Sequence, residues 1–352
     1  IFSFQALGTT SRQFFFDPNT GTNVYRTGNG LGYNWNLDMT GRHFGYFIGG
    51  SGRSSDYRAD VGFTRRTNNN SVEFFTRYAS EPKPKAKLIS WRLHQFTGFD
   101  YDWQGRMQGW VTEPQFRVQL VHQTFIAVGV TGRFERLFEE EFGPKRSETQ
   151  QGAFFGPDPE RSTYRKEVFA YGGTSPSKKY SAFLFGVYRW GEFDFDFGAG
   201  PRFPRVSPAA LVDPDAPLDP GPGKSVNIEA SFTYQPVDAF RTSVNYNKSR
   251  LRRYDTGFVA FDENIISSRA TYQFTRFVFA RARVDYATLA SSLRGQFLFG
   301  WTPNPGTSFY VGYNDDLTHN GFNPFTGQLE PGFRRNGRTF FIKTSYLIRR
   351  TM

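Results

Sequence analysis

Residues 338–350 read R-T-F-F-I-K-T-S-Y-L-I-R-R, with apolar and polar side chains in alternation. Phe340, Ile342 and Tyr346 share one parity, whereas Lys343 carries its charge on the other. Because successive side chains of a β-strand point to opposite sides, the segment is predicted to be a strand with one apolar face. About a dozen residues is long for a strand of a soluble protein, but it suits a tilted strand that crosses a lipid bilayer.

The same alternation recurs along the chain and predicts about sixteen strands. In two examples, Leu37 and Phe232 lie on apolar parities, next to the polar residues Asn36 and Thr233. The predicted spans are residues 1–9, 29–41, 43–52, 70–80, 87–103, 105–122, 124–137, 162–173, 179–192, 224–236, 238–251, 262–275, 277–288, 291–303, 307–318 and 336–350.

The connections between the predicted strands alternate between short and long. Short ones contain turn-forming residues, as in Thr40-Gly41-Arg42. The long ones are residues 10–28, 53–69, 138–161, 193–223, 252–261 and 319–335, and two further connections on the same side, near Gln104 and Ala290, are tight. In bacterial outer-membrane barrels the short turns face the periplasm and the long loops face the outside. The pattern therefore predicts that both chain ends lie in the periplasm.

The composition favours a structure that has one apolar and one wet face throughout. Aromatic residues make up 18% of the 352 residues, although 21% are charged and the mean hydropathy is −0.55. No apolar run approaches the length of about 18 residues that a membrane helix needs. The absence of cysteine fits an exported barrel in an oxidising compartment, and it also fits a cytosolic chain that lacks cysteine by chance.

These patterns predict an all-β fold, a transmembrane antiparallel up-and-down β-barrel of about sixteen strands with short periplasmic turns and long extracellular loops. Residues 1–352 are interpreted as a single outer-membrane β-barrel domain of a Gram-negative bacterium. A soluble sandwich or propeller would also have alternating strands. However, it would pack each apolar face against a partner and would seldom turn so many aromatic side chains outward.

The apolar parity is predicted to face lipid and the polar parity to line the lumen. The predicted lipid-facing residues are Trp35, Phe232, Phe297, Phe299, Trp301, Ile342 and Tyr346, and the aromatic ones near strand ends would form interfacial girdles. The predicted lumen-lining residues are Arg77, Arg92, Arg117, Arg133, Arg189, Arg241, Arg269, Arg281, Arg283, Lys343, Glu73, Glu229 and Asp285. An excess of arginine would favour anions and sugar hydroxyls in a pore. Alternatively, these charges pair across the lumen in a ladder that stabilises the wall.

Two stretches resemble one known family. Residues 300–316 read G-W-T-P-N-P-G-T-S-F-Y-V-G-Y-N-D-D, and residues 45–66 read G-Y-F-I-G-G-S-G-R-S-S-D-Y-R-A-D-V-G-F-T-R-R. They are similar to a large family of bacterial outer-membrane barrels of unassigned function, whose longer members carry an N-terminal module similar to family-9 carbohydrate-binding domains. The resemblance implies a barrel with no catalytic residues to carry over. A module that preceded Ile1 would lie in the periplasm.

Few residues form a pattern that would carry chemistry. His319 follows Asp315 and Asp316 in a predicted outer loop, which would suit a hydrolase at the barrel rim, although a solvated polar loop explains the same residues. The 193–223 loop contains carboxylates that are oxygen ligands of the kind Ca²⁺ prefers, and a solvated, proline-stiffened loop is the alternative. We therefore predict no enzyme activity, no catalytic or metal-binding residue, and no cofactor other than Ca²⁺ in that loop.

The leading functional hypothesis is a passive or weakly selective channel for small solutes, tolerant of anions or sugars. The alternative is a non-conducting membrane anchor or assembly subunit whose plugged lumen holds partner proteins or glycans, and a rim hydrolase is a remote third. No nucleic-acid partner is predicted, because the net charge of +11 is spread over strands and loops.

The expected partners are membrane lipid, lipopolysaccharide, and periplasmic or outer-membrane proteins. Phosphates of lipopolysaccharide would meet cations of the outer loops. These cations are Arg53, Arg58, Arg65, Arg66, Lys145, Arg146, Arg252, Arg253, Arg334 and Arg335.

Overall fold

The alternating segments form one sheet of sixteen strands, whose order in space is their order in the sequence. The computed structural model describes all residues except 18–21, 59–65, 144–151, 324 and 348–352, so the predicted end of the last strand, at residues 348–350, lies outside the described residues. The strands are β1 (Phe2–Asp17), β2 (Thr22–Thr40), β3 (Phe44–Arg53), β4 (Asn69–Ala79), β5 (Leu88–Tyr101), β6 (Met107–Leu120), β7 (Thr124–Phe138), β8 (Glu160–Ser177), β9 (Tyr180–Asp194), β10 (Gly221–Val237), β11 (Phe240–Arg253), β12 (Val259–Thr275), β13 (Val278–Ala287), β14 (Ser292–Asn304), β15 (Thr307–Phe322) and β16 (Leu329–Tyr346).

Each strand pairs antiparallel with the next one along the chain. Such a meander needs no crossover, because neighbouring antiparallel strands can be joined by short turns. The fold is therefore all-β, an antiparallel up-and-down β-barrel of sixteen strands, and the prediction from alternation is confirmed.

The connections alternate between the two ends of the sheet, as predicted. At the short-turn end, β8 and β9 are separated by residues 178–179 and β14 and β15 by residues 305–306. At the opposite end, which we call the long-loop end, the connections include residues 139–159 and 195–220. The tight connections predicted near Gln104 and Ala290 are residues 102–106 and 288–291 at that same end.

Two predicted long loops are mostly strand, and a third, residues 252–261, is shortened to residues 254–258. Residues 10–28 were expected to form a loop, but β1 and β2 continue through most of them. The rings of Phe14 and Tyr25 pack side by side there, with their centroids 5.0 Å apart. Residues 319–335 likewise belong mostly to β15 and β16. Apolar and polar residues do not alternate there, as in the run Phe14-Phe15-Phe16, whereas the backbone hydrogen bonds that extend a strand pair need no particular side chain.

The register divides the strands into two faces. The polar face contains Arg92, Arg117 and Arg189, and the apolar face contains Phe232 and Ile342. Phe232 is 48% exposed and Ile342 is 60% exposed in the isolated chain. Large apolar side chains exposed to this degree along a whole sheet are typical of a surface that meets lipid.

On β5 and β6, polar residues interrupt the apolar face. Gln95 donates to Thr97 Oγ1 at 3.2 Å and to Thr112 Oγ1 at 2.8 Å, so the three side chains satisfy one another. Beside them, the β6–β7 register omits Glu113 and Pro114. Proline has no backbone N–H to donate, and this accounts for the gap in the ladder.

The buried apolar clusters of the described residues lie at the long-loop end. One cluster consists of Leu137, Phe154 and Phe193, with Phe142, Ala153 and Leu218 packed against it; we call these six residues the loop cluster. A second cluster contains Val206, Leu251 and Ala260. The wall of the sheet itself buries little, since large side chains of its apolar face are exposed in the isolated chain.

Two short helical elements occur among the described residues, a 3₁₀ turn at Glu139–Glu141 and helix α1 at Pro208–Val212. The Ser207 hydroxyl caps α1 by accepting a hydrogen bond from the backbone N–H of Ala210. Among all the described residues, no helix is long and apolar enough to cross a membrane.

Candidate functional site

The polar face carries a group of paired charges on β7–β9. The guanidinium of Arg165 lies 2.6 Å from Glu167 Oε1 and 3.0 Å from Glu192 Oε2. Arg189 shares Glu167, at 3.1 Å from its Oε2, and also donates to Asn227. The side chain of Arg165 is 13% exposed, and an unpaired charge so far from water would be costly. Here the charges pair between neighbouring strands within the wall, whereas the sequence suggested pairing across the lumen.

A second group, on β11–β13, is not balanced in the same way. Arg241, Arg269, Arg281 and Arg283 lie on the polar face, and Arg269 stands directly opposite Arg283 in the register. Within the described residues only Arg283 has a carboxylate partner, Asp285, at 2.7 Å. We call these four residues the arginine group. The arginine group therefore makes this part of the polar face positively charged.

A third group of cations lies on β4–β6. Arg92 stands opposite Arg117, and His94 stands opposite Arg77. Arg77 donates to the carbonyl of Gly41 at 2.7 Å, and Arg117 lies over the ring of Phe125 at 4.2 Å. None of the three arginines has a carboxylate partner among the described residues, so this wall is also positively charged.

The remaining predicted lining residues lie on the same polar face, and all but Arg133, which stands opposite Arg165, are apart from these groups. Glu73 is opposite Gly98, Glu229 is opposite Asn247, and Lys343 is opposite Tyr310. The Nε of Arg133 is buried without a partner in the described part of the chain.

The residues predicted to face lipid all lie on the apolar face. They are Trp35, Phe232, Phe297, Phe299, Trp301, Ile342 and Tyr346.

The 195–220 loop has a polar core of its own. The carboxylate of Asp196 accepts hydrogen bonds from Arg205 Nη2 at 2.6 Å, Ser207 Oγ at 2.8 Å and the backbone N–H of Asp219 at 3.0 Å. Arg205 also donates to the carbonyl of Ala216 at 2.6 Å. These bonds fix the loop in one shape without a long helix or strand.

Arg253 fastens that loop to the end of β11. Its guanidinium lies 2.9 Å from Asp194 Oδ2 and 2.7 Å from Asp255 Oδ2, and it donates to the carbonyl of Asp219 at 3.0 Å. Hydrogen bonds to the two carboxylates raise the pKa of Arg253 against the opposing effect of burial, which is the largest single influence. The guanidinium therefore stays charged and holds both ends of the loop.

Arg202 extends the same loop to distant strands. Its guanidinium donates to the carbonyl of Thr288 at 3.2 Å and to the carbonyl of Asn320. Thr288 follows β13 and Asn320 lies in β15, whereas the loop itself joins β9 to β10. Because β13 and β15 are three and five strands away from β10 along the sheet, the contact carries the loop over part of the long-loop end. The 195–220 loop thus lies across the long-loop end.

The 139–159 loop packs onto the 195–220 loop through the loop cluster. The rings of Phe142 and Phe154 are 5.2 Å apart, and Phe155 donates a backbone hydrogen bond to Leu218 at 2.7 Å. A buried side chain, Glu139, accepts a hydrogen bond from the backbone N–H of Phe154 at 2.8 Å. Both long loops therefore form one packed layer over that end.

The structure does not assemble a hydrolase site at His319. The ring of His319 packs on Phe333 with centroids 4.4 Å apart. Asp316 lies on the polar face opposite Arg294, whereas Asp315 lies on the apolar face and is held by Arg335 at 2.8 Å. Two carboxylates on opposite faces of a strand cannot act on one substrate together with this histidine.

Two carboxylates considered for Ca²⁺ have arginine partners. Asp194 is bound by Arg253 and Asp196 by Arg205. In the described residues no group of three or more histidine or acidic side chains is arranged to hold a metal ion.

Several charged residues of the polar face were not among the predicted lining residues, and of these only Glu192 has the wrong parity. Glu192 joins the ladder on β8 and β9 because the register shifts beside Gly191, whose φ is +78°. Arg294 and Asp316 face one another on β14 and β15. The glycine in Trp190-Gly191-Glu192 was the available signal for a bulge. Of the predicted outer-loop cations, Arg65, Lys145 and Arg146 lie outside the described residues.

No family model and no curated protein matches the sequence. Among solved structures, the chain is similar to OmpT, an outer membrane protein of Vibrio cholerae, with 12% identity, 98% of each chain covered and a TM-score of 0.34. It is also similar to OmpF of Salmonella typhi in complex with daunomycin, with 11% identity, 81% of this chain and 89% of that chain covered, and a TM-score of 0.29. A third similarity is to the ferric enterobactin receptor of Pseudomonas aeruginosa, with 8% identity and a TM-score of 0.44. It covers 97% of this chain, which spans 58% of the receptor.

Proposed function

We propose that the chain is a narrow, anion-preferring channel for small solutes in the bacterial outer membrane. The observation that carries this proposal is the arginine group on the polar face, where, among the described residues, only one of the four guanidinium groups is paired with a carboxylate. In the proposed orientation the polar face lines the lumen, and the short-turn end and both chain ends lie in the periplasm.

The electrostatics support anions as the preferred solutes. Arg269 and Arg283 are directly opposite on neighbouring strands, and like charges in that relation destabilise a sheet. A wet lumen reduces this repulsion and fills with counter-ions, which for guanidinium groups are carboxylates, phosphates or chloride. A wall that only needed stiffening would pair these charges, as β7–β9 do.

The loops support a narrow passage. The 195–220 loop spans the long-loop end through Arg202, and the 139–159 loop packs on it. A sixteen-stranded barrel without such loops would pass water and solutes freely. With them, solutes must pass beside the 195–220 loop, close to the charged walls. The charges of those walls then determine which solutes pass.

Planar-bilayer recordings of the purified protein test the proposal. Under a salt gradient, we expect a measurable conductance and a reversal potential on the anion side. The double variant R269Q/R281Q should move the reversal potential toward zero, because it removes two positive charges from the polar face. The matched control K166Q/K224Q removes two positive charges from the apolar face and should leave the reversal potential unchanged. A conductance with equal selectivity in all three proteins would contradict the proposed role of the arginine group.

A second function, a non-conducting anchor for partner proteins or glycans, is favoured by the packing of both long loops into one layer. In that case the layer closes the lumen and presents a fixed surface to the outside. Bilayers that stay sealed at high protein concentration, together with partners that co-purify, would support the anchor and exclude the channel. The resemblance to barrels whose longer members carry a carbohydrate-binding module makes glycans one class of partner to examine.

A further inference from the structure

We infer that the apolar face of β8–β11 holds a binding site for the phosphate groups of an outer-leaflet glycolipid. Three cations, Lys166, Lys224 and Arg252, lie in one row across this face, together with Trp190. The inference uses the outer-membrane placement proposed above, but it does not depend on conductance.

The register defines this row. Trp190 on β9 stands opposite Lys166 on β8 and opposite Lys224 on β10, and Lys224 stands opposite Arg252 on β11. Neighbouring strands are about 4.8 Å apart, so the four backbone positions extend over about 15 Å. This width suits a headgroup that carries more than one phosphate.

The height of the row matches the edge of a membrane. Below it, the apolar face of β9 runs down through Leu184 to Tyr180 near the short-turn end. From Tyr180 to Trp190 the face rises by about 25 Å, at about 2.5 Å for each residue of a strand tilted by about 40°. That is the height of the apolar band of an outer-membrane barrel. The lysines therefore lie where headgroups of the outer leaflet begin.

The two lysines are available for a ligand. Neither Lys166 nor Lys224 has a carboxylate partner among the described residues, and both are exposed. In contrast, Lys248 on the same face is paired with Asp262 at 3.0 Å. Arg252 donates from Nε to the carbonyl of Gly257 at 2.6 Å, which leaves its terminal nitrogens free to bind. Unpaired cations beside lipid are costly unless they meet anionic groups.

Aromatic side chains around the row would contact sugar rings. Tyr164, Trp190 and Tyr254 border a groove of about 810 Å³ that also contains Lys166. Tyr254 is held over this groove, because its hydroxyl accepts a hydrogen bond from the backbone N–H of Gly191 at 3.0 Å and its ring lies 5.9 Å from Lys224 Nζ. Val130 and Val168 continue the groove downward and would contact acyl chains. The cations and aromatic rings thus lie together toward the long-loop end, where phosphates and sugars would be, and the aliphatic side chains lie below them, where acyl chains would be.

Native mass spectrometry of the detergent-purified protein with added diphosphorylated lipid A tests the inference. We expect lipid adducts on the wild-type protein and a roughly tenfold or greater loss of affinity in K166Q/K224Q, because each variant position removes a charged hydrogen bond to phosphate. K166R/K224R should retain binding, since guanidinium groups also bind phosphate. The matched control K83Q/K85Q removes two lysines from the β4–β5 turn at the short-turn end and should bind as the wild type does.

Three results would overturn the inference. They are equal affinity of K166Q/K224Q and wild type, equal binding of lipid A from which both phosphates have been removed, and full competition by inorganic phosphate at the concentration of the lipid. A shift of folded and unfolded bands in gel electrophoresis shows that each variant is folded. Lys166 and Lys224 lie on the apolar face, so we expect their substitution to leave the reversal potential unchanged. Lipid binding tests this inference and the reversal potential tests the proposed channel, so either can fail without the other.

Discussion

The guanidinium of Arg202 donates a hydrogen bond to the carbonyl of Thr288, 3.2 Å away, and so joins the β9–β10 loop to the connection between β13 and β14. The same side chain also reaches the carbonyl of Asn320 in β15. Hydrogen bonds that involve a charged group contribute about 1.5–3 kcal/mol each. This side chain therefore helps to hold the far side of the 195–220 loop over the long-loop end, while Arg253 holds its near side.

Substitution of Arg202 by alanine should release the far side of the loop. We expect amide hydrogen exchange in residues 195–220 to become at least about tenfold faster, because one charged hydrogen bond corresponds to that factor. The single-channel conductance should rise as the 195–220 loop moves away from the opening. R276A, which removes an arginine at the short-turn end, is the matched control. Unchanged exchange in R202A would show that the loop is held by its own core alone.

Substitution of Arg253 by alanine should loosen the near side of the loop. The side chain is 1% exposed and binds both Asp194 and Asp255, so its removal leaves charges without their partner. Breaking a buried ion pair in this way costs about 3–5 kcal/mol. Limited proteolysis should then cut within residues 195–220, and R253K should restore only part of the resistance because lysine lacks the paired donors. The exposed neighbour Arg250 provides the control variant R250A, which should resist as the wild type does.

The fastening at Arg253 should depend on pH only in acid. Burial opposes ionisation of Asp255, but hydrogen bonds from Arg253 and from the backbone N–H of Thr256 outweigh it, and the pKa of Asp255 lies below its ordinary value of 3.8. A carboxylate with a lowered pKa contributes stability that is fully present above its unfolded-state pKa and is lost as the pH falls through the folded-state value. Proteolysis resistance of residues 195–220 should therefore stay constant from about pH 8 to pH 5 and fall only below about pH 4. A loss already at pH 6 would point to another group.

Substitution of Arg269 by glutamine should stabilise the wall while it weakens anion preference. The change removes a like-charge pair with Arg283, and relief of such a pair is worth about 0.2–1 kcal/mol. Denaturant titration in detergent micelles measures the gain. R283Q is the informative comparison, because it leaves Asp285 without its partner and should not stabilise. Equal stabilisation by both variants would mean that repulsion between the two arginines is not the cause.

The sequence was sufficient to predict the wall of the barrel. Alternation assigned residues such as Trp35 and Arg92 to opposite faces, because the side-chain period of a strand is set by covalent geometry and needs no knowledge of neighbours. Where that period breaks, prediction failed. The bulge beside Gly191 moved Glu192 to the polar face, and a single inserted residue reverses every assignment that depends on parity.

The layer of loops could not be predicted in the same way. The bond from Arg202 to Asn320 joins residues 118 positions apart. The loop cluster joins residues from the ends of β7 and β9 and from two loops. No periodic signal marks such contacts, since loops have no repeating geometry and their packing depends on where the sheet places their ends.

The loop cluster also bears on how the molecule enters its membrane. Leu137, Phe154 and Phe193 can pack together only when the segments that carry them have reached the same side of the bilayer. Until then the cluster contributes nothing, and afterwards its burial opposes any return of those segments. Assembly is therefore directional. The strands insert into the membrane first, and the packed loops then oppose their withdrawal from it.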